Sequence, residues 1–318
     1  MVKILDNKPS REGLGDALLE LGEIYSNLVG IGADTSQSTS LGKFAKKYPQ
    51  KFINVGIAEQ NAVGIAVGLS LVGKIPVVST YAMFLAGRCW EEIRQSVCYN
   101  YTNVKLVATH AGITVGPDGA SHQILEDIAL MRVLPNMTVI VPADANEAKV
   151  AVKKSFDIAG PVYIRLSREK LPVITQENED FVIGKAKILK EGKDCGIICC
   201  GVMVYESLVA AEILEKEGIS CRVINIHTIK PIDEEIIIDT AKKCGCILTC
   251  EEHQINGGLG SAVAEVLVSK YPIPQEFVGI KDKFGESGSA QDLMKKYGLK
   301  AENIVEKVKK LLEKKNKC

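Results

Sequence analysis

Residues 52–73, "FINVGIAEQNAVGIAVGLSLVG", contain one side chain of formal charge, Glu59. Desolvation penalises a carboxylate in apolar surroundings and raises its pKa. Such a group stays protonated near neutrality and can exchange a proton with a ligand nitrogen. Equally, Glu59 can serve as an acid in the first turn of a helix beginning near Ile57, where the helix dipole favours it. A second reactive stretch is "THAGITVGPDGASHQ", where His110 and His122 flank a loop carrying Asp118. Gly112, Gly116, Pro117 and Gly119 let that loop turn tightly and gather its polar side chains. "STYAMF" offers Tyr81 and Phe84, which can stack on a flat ring or simply fill a core. "RLSREKLP" supplies Arg165 and Arg168, and Arg11 stands near the start. Guanidinium forks match phosphate, so an anionic substrate is one reading and ordinary surface arginines the other.

These residues fall where one fold would gather them. Leu14, Leu18, Leu21 and Tyr25 keep helical spacing, and strands are expected at "LVGIGAD", "FINV", "IPVVST", "NVKLVATH", "MTVIVP" and "GPVYIRL". Helix-length segments separate them, which predicts a largely parallel sheet covered on both faces. Ligands in such sheets bind beyond the carboxyl ends of the strands, the places held here by Asp34, Thr80 and Tyr81, Thr109 and His110, and Arg165 with Arg168. A polar, proline-containing stretch ends this unit near residue 180. The rhythm restarts with "CGIICCG", a helix over 205–216, "CRVINI", a helix over 233–243, "CILTCEE", a glycine turn opening a helix at "GGLGSAVAEVLV", a strand near "QEFVGI" and two terminal helices. The expectation is an α/β chain of two consecutive domains, 1–180 and 181–318. The strand ends of the second carry less obvious chemistry. "NGGLGSAV" lacks both the Lys-Ser/Thr of a P-loop and a full G-x-G-x-x-G, so it reads as a tight turn.

Composition excludes several classes. The 318 residues balance 39 basic against 39 acidic side chains, leaving no field that attracts nucleic acid or an anionic membrane. The basic terminal segment "VEKVKKLLEKKNKC" has Val305, Val308, Leu311 and Leu312 at helical spacing, so its lysines read as a solvated face. Residues 54–73 are nearly long enough to span a bilayer, but Asn54, Glu59, Gln60 and Asn61 interrupt them. With no signal-peptide pattern, the expectation is a soluble, cytoplasmic protein. Ten cysteines lie mostly in apolar strand-like runs rather than at scaffold spacing. Cys244, Cys246, Cys250 and His253 fit no standard zinc pattern, and their alternation predicts a buried strand with no metal.

Taken together, "VGIAEQNAVGIA", "STYAMF", "THAGITVGPDGASHQ", "IRLSREKLP" and "EEHQINGGLGSAVAE" closely resemble the C-terminal half of transketolases, in order and across essentially the whole chain. The resemblance implies a pyrimidine-binding domain of the thiamine diphosphate fold followed by the transketolase C-terminal domain. It assigns Glu59 to a ring nitrogen of the cofactor's aminopyrimidine. There a shared proton favours the imino form that generates the ylid, and the cofactor is the electron sink. Tyr81 and Phe84 match the aromatic pair around the pyrimidine, and Asp34 an acid at the cofactor-binding strand end. His122 matches a histidine near the reacting carbonyl, and Asp118 an acid that reads a sugar hydroxyl. Arg11, Ser38, His110 and Arg168 match the group that holds the substrate phosphate.

One departure stands out. The G-D-G and downstream Asn with which full transketolases hold a divalent metal and the diphosphate do not occur, and the chain passes almost directly from Met1 into the Arg11 helix. The resemblance therefore implies a split enzyme, whose separate N-terminal subunit carries Mg2+ or another divalent metal and the diphosphate site. Two chains of each kind would form a heterotetramer, moving a two-carbon ketol unit between sugar phosphates. The matching half of a deoxyxylulose-phosphate synthase shares the "DGxxHQ" pattern but usually lacks the histidine at His110. A 2-oxo acid dehydrogenase β subunit would leave the phosphate set and His122 unexplained. A non-catalytic homologue is the remaining alternative.

Overall fold

Alternating apolar runs and amphipathic stretches fold as the rhythm requires in this computed structural model, which describes residues 2–177 and 179–315. The first part runs β1 (Asp6–Pro9), α1 (Arg11–Ile24), β2 (Leu28–Gly32), α2 (Leu41–Lys47), β3 (Phe52–Asn54), α3 (Glu59–Leu71), β4 (Ile75–Tyr81), α4 (Trp90–Glu92), β5 (Lys105–Thr109), α5 (Asp127–Arg132), β6 (Thr138–Ile140), α6 (Ala145–Ser155), β7 (Val162–Arg165) and β8 (Lys170–Val173). There follow β9 (Lys187–Lys190), β10 (Cys195–Cys199), α7 (Met203–Lys216), β11 (Cys221–Asn225), β12 (Thr228–Lys230), α8 (Glu234–Cys244), β13 (Ile247–Gln254), α9 (Leu259–Lys270), β14 (Gln275–Ile280), α10 (Ala290–Lys296) and α11 (Ala301–Lys315).

The first sheet has the order β12-β6-β7-β5-β4-β2-β3 and is parallel except for β12. The second, β14-β13-β10-β11-β9, is parallel except for β9. Val77 and Val78, neighbours on β4, fall in different hydrophobic clusters, as the two-residue period of a strand demands. Val78 packs in the cluster of Ala62, Val63 and Ala66 from α3, and Val77 in that of Leu14 and Leu18 from α1 and Ala148 and Ala151 from α6. Burying a leucine such as Leu14 or Leu18 contributes about 1.5–3 kcal/mol.

Three features depart from the sequence expectation. β12 comes from the second half of the chain but pairs Thr228 with Ile140 and Lys230 with Val139, adding an edge to the first sheet. Three residues are too few to show a period. β1 pairs antiparallel with β8, from Asp6 opposite Val173 to Pro9 opposite Lys170. The polar stretch after β7 is therefore partly a strand. Finally, Met83–Arg88 and Ile93–Cys98 are π-helical on either side of α4.

The terminal lysines do line a solvated helix face, with Val305, Val308 and Leu311 buried; residues 316–318 lie outside the described ones. Among the described residues, no helix is long and apolar enough to cross a membrane. Cys250 sits in β13 with every neighbour from Ile247 to His253 buried, and no three His, Cys, Asp or Glu side chains among the described residues converge to hold a metal.

Candidate functional site

The β1–β8 ladder brings the start of the chain to the end of β7. Ser10 Oγ accepts from the Ser167 amide at 2.7 Å, and Arg11 Nη1 donates to the Arg168 carbonyl at 2.6 Å. Two arginines distant in sequence thus become neighbours. Arg168 Nη1 in turn donates to the Val115 carbonyl at 2.6 Å and meets Asp118 Oδ1 at 3.1 Å. Among the described residues, Nε and Nη2 of neither arginine make a hydrogen bond, so each keeps donors for an anion. Burial and the Arg168 charge hold the Arg11 guanidinium below its ordinary value.

His110 follows β5 with a left-handed backbone, φ 56°, and its ring stacks on Tyr81 with centroids 3.8 Å apart. Burial, then the charges of Arg11, Arg168 and His122, push its pKa down to about 3. His110 is therefore neutral at ordinary pH. From Tyr81 the aromatic row continues to Phe84, stacked at 5.9 Å, and His122 meets Phe84 edge-on at 5.3 Å. His122 Nδ1 shares a 2.9 Å hydrogen bond with Ser121 Oγ.

Glu59 opens α3 and is 2 % exposed. Its surroundings are not purely apolar, which corrects the sequence reading. Arg88 Nη1 donates to Glu59 Oε2 at 2.7 Å, while the same guanidinium lies 4.7 Å over the Phe84 ring. The π turn of Met83–Arg88 is what carries Phe84 and Arg88 toward Glu59; such turns are frequent at functional sites. Glu59 Oε1 makes no hydrogen bond among the described residues. The acid is buried and stands in the first turn of α3, without a side-chain cap bond.

Asp34 is exposed, with φ 59°, and its amide donates to Asn54 Oδ1 at 3.0 Å. Thr35 donates to Thr80, one residue before Tyr81, at 3.2 Å. Ser38 is exposed in the loop after β2 and makes no hydrogen bond with Arg11, His110 or Arg168. Contacts therefore run unbroken from Arg11 through Arg168 to Asp118, and from His110 through Tyr81, Phe84 and Arg88 to Glu59.

Arg165 does not join them. Its Nε donates to both carboxylate oxygens of Asp127, at 3.1 and 2.9 Å, and Nη2 donates to the Glu252 carbonyl at 2.8 Å. It points between the domains, because successive strand residues face opposite sides and Arg165 is still within β7. Arg88 and Asn54 were missed by sequence reasoning. The one signal for Arg88 was its place four residues after Phe84.

The neutral state of His110 has a consequence for stability. The unfolded chain binds this proton near pH 6.5 and the folded chain only near 3. Acid therefore favours unfolding: the contribution is complete above pH 6.5 and is lost as pH falls through that window, at about 1.4 kcal/mol per pH unit where the unfolded histidine is protonated and the folded one is not. Urea titrations from pH 7 to 4 should show a steeper loss of stability in the parent than in His110→Gln. Parallel curves would contradict the buried neutral assignment.

Against known families, residues 7–173 match the transketolase pyrimidine-binding domain and residues 184–304 the transketolase C-terminal domain. A provisionally named transketolase C-terminal section of Methanocaldococcus jannaschii is 48% identical, covering 96% of this chain and 97% of that protein. The 6-deoxy-6-sulfo-D-fructose transketolase subunit of a Clostridium species is 40% identical over 96% of this chain and 95% of its own length. Human transketolase is 36% identical over 98% of this chain but only 50% of itself. A solved split-gene transketolase, an inactive β4 tetramer, is 51% identical and superposes with a TM-score of 0.90, covering 96% of this chain and 98% of that one.

Proposed function

The chain belongs to the transketolase family, and we propose that it forms, with a separate partner polypeptide, an enzyme that moves a two-carbon ketol unit from a ketose phosphate to an aldose phosphate. In this reading residues 1–180 are the pyrimidine-facing domain and 181–318 the second domain. The partner brings the diphosphate and Mg2+ site, the assembly is two chains of each kind, and its place is the cytoplasm. Relatives that this chain spans almost fully are named as a section or a subunit, which supports the partner.

The residues present fit the pyrimidine end of thiamine diphosphate. Glu59 Oε1 has no partner among the described residues, and Arg88 links that carboxyl to the Tyr81 and Phe84 rings, which suit a flat heterocycle. No described cluster suits the metal. When bound, the cofactor supplies an electron sink for carbon–carbon cleavage. Glu59 holds a proton toward the ring nitrogen, Tyr81 and Phe84 flank the ring and exclude water, and Asp34 closes the strand-end side. His122 serves the proton at the reacting oxygen, and Asp118 accepts from a sugar hydroxyl. Arg11, Arg168, neutral His110 and Ser38 hold the phosphate.

The observation carrying this reading is the Arg11–Arg168 pair, with its unused donors, beside His110 and the aromatic row. Relatives named for a 6-sulfo sugar and for apulose 4-phosphate suit such a fork, since guanidinium pairs with either anion. A dehydrogenase β subunit would leave those groups without work.

The test combines this chain with a polypeptide carrying G-D-G and the downstream Asn, thiamine diphosphate and Mg2+. Ketol transfer should require both chains. Arg168→Ala should raise KM for the phosphorylated sugar about 10- to 100-fold, the worth of charge-assisted hydrogen bonds, with kcat changed far less. Turnover by this chain alone, or an unmoved KM, would refute the assignment.

A further inference from the structure

The loop that carries Asp118 and leads to His122 rests on the second domain as well as on its own. Glu252, near the end of β13, places Oε1 2.7 Å from the Thr114 amide, which donates to it. Its carboxyl lies directly over Gly112: a Cβ there, at φ 85°, would come within 2.2–2.4 Å of all three carboxyl atoms. Gly119, φ 76°, faces Ser287 Oγ in the same way, at 2.6 Å from a hypothetical Cβ. The loop's glycines thus do more than permit turning. They let another domain approach the backbone closely.

Gln123 closes the clamp from the far end of the loop. Its Nε2 donates to the carbonyls of Gly116 at 3.0 Å and Ile113 at 3.3 Å, and across to Glu286 at 2.9 Å. Gly285 packs on the same amide, since a Cβ at that position would sit 1.8 Å from Gln123 Oε1. Glu252 is itself anchored by Arg165, whose Nη2 holds its carbonyl and whose Nη1 lies 3.6 Å from its carboxylate. The same loop delivers the Val115 carbonyl and Asp118 to Arg168.

We propose that Glu252 and Gln123 are positioning residues through which the second domain sets the geometry of the phosphate-end substrate site, by clamping residues 112–123. This deepens the transketolase reading and rests on it for the meaning of that site. The clamp reaches Arg168, Asp118 and His122 through the loop, and His122 meets Phe84 edge-on at 5.3 Å, whereas Glu59 opens α3 and pairs with Arg88 rather than with the loop. A loosened clamp therefore weakens the loop's hold on the substrate, at Asp118 and His122, while Glu59 keeps its own support on α3.

Two measurements test it, on the full chain and on the enzyme reconstituted with its partner. In Glu252→Ala, amide hydrogen exchange across 112–122 should quicken about tenfold or more, the loss of one hydrogen bond to a charged acceptor, while α3 is unchanged. Glu252→Gln, which still offers a carbonyl to Thr114, should keep most of the protection. In the reconstituted enzyme, Glu252→Ala should raise KM for the phosphorylated sugar about tenfold, with kcat lowered less, through His122 on the same loop, and thiamine diphosphate affinity within about twofold. Unchanged loop exchange overturns the proposal, and so does an equal loss in cofactor affinity, which would mark Glu252 as general packing. If the parent enzyme shows no ketol transfer, the functional reading fails while the exchange experiment still reports on the clamp. Arg165 keeps Asp127 in Glu252→Ala, so the network retains a charge pair. Should that variant not fold, Gly285→Ala displaces Gln123 and is read out by the same exchange and KM shifts.

Discussion

Glu59→Ala should lower ketol transfer by the reconstituted enzyme about 100- to 10,000-fold, the range for removing a group that moves a proton in the rate-determining chemistry. The folded chain should survive. Glu59 stands in the first turn of α3, its ion-pair partner Arg88 is half exposed, and α3 is anchored by Ala62, Val63 and Ala66 rather than by the acid. Glu59→Gln separates shape from proton transfer. A glutamine keeps an oxygen for Arg88 and the same volume, but it cannot hold or release the proton. The glutamine variant should therefore lose nearly as much activity as the alanine variant, with KM for phosphorylated sugars little changed. Steady-state kinetics at saturating cofactor is the measurement. Near-parent turnover in Glu59→Ala would end the assigned role, and full activity in Glu59→Gln would reduce the residue to a helix-end partner of Arg88.

The second large effect lies in stability. Arg165→Met removes the one cation that, among the described residues, pairs with Asp127 and Glu252 in a buried network that also includes the Tyr163 hydroxyl, 2.8 Å from Asp127 Oδ2. Burial, with a smaller push from Asp127, raises the Glu252 carboxyl above its ordinary value, with Arg165 and the Thr114 hydrogen bonds pulling it back. Without that guanidinium, two carboxyl groups are left dry and uncompensated, a change that costs about 3–5 kcal/mol. Urea or thermal unfolding of the isolated chain should show it. The contrast with Arg168 is diagnostic: Arg168→Ala should change KM and leave the unfolding midpoint nearly alone. A stable Arg165→Met chain with a raised KM would reverse the two assignments.

These two arginines show what could be read without a structure. Arg165 ends β7 and Arg168 follows three residues later, and residue type treats them alike as anion binders. Alternation along β7 and the turn after it send one between the domains and the other onto Val115 and Asp118. No single-sequence pattern registers that choice, because it depends on Asp127 and Glu252, which come from elsewhere in the chain. Glu59 is a related case. Its isolation in an uncharged run was visible, but Arg88 reaches it only through a π turn, whose i→i+5 bonds change the helical register.

By itself, the sequence determined the alternation of strands and helices, the two parallel sheets and the transketolase family. Hydrophobic period and motif order are local, and each of those features is written within a few dozen residues. Tertiary structure alone decided which groups meet. β1 pairing with β8 sets Arg11 beside Arg168, β12 crosses into the first sheet, and Glu252 lies against Gly112. Those contacts join positions more than a hundred residues apart, or span a domain boundary, and follow from packing geometry that no local spacing encodes.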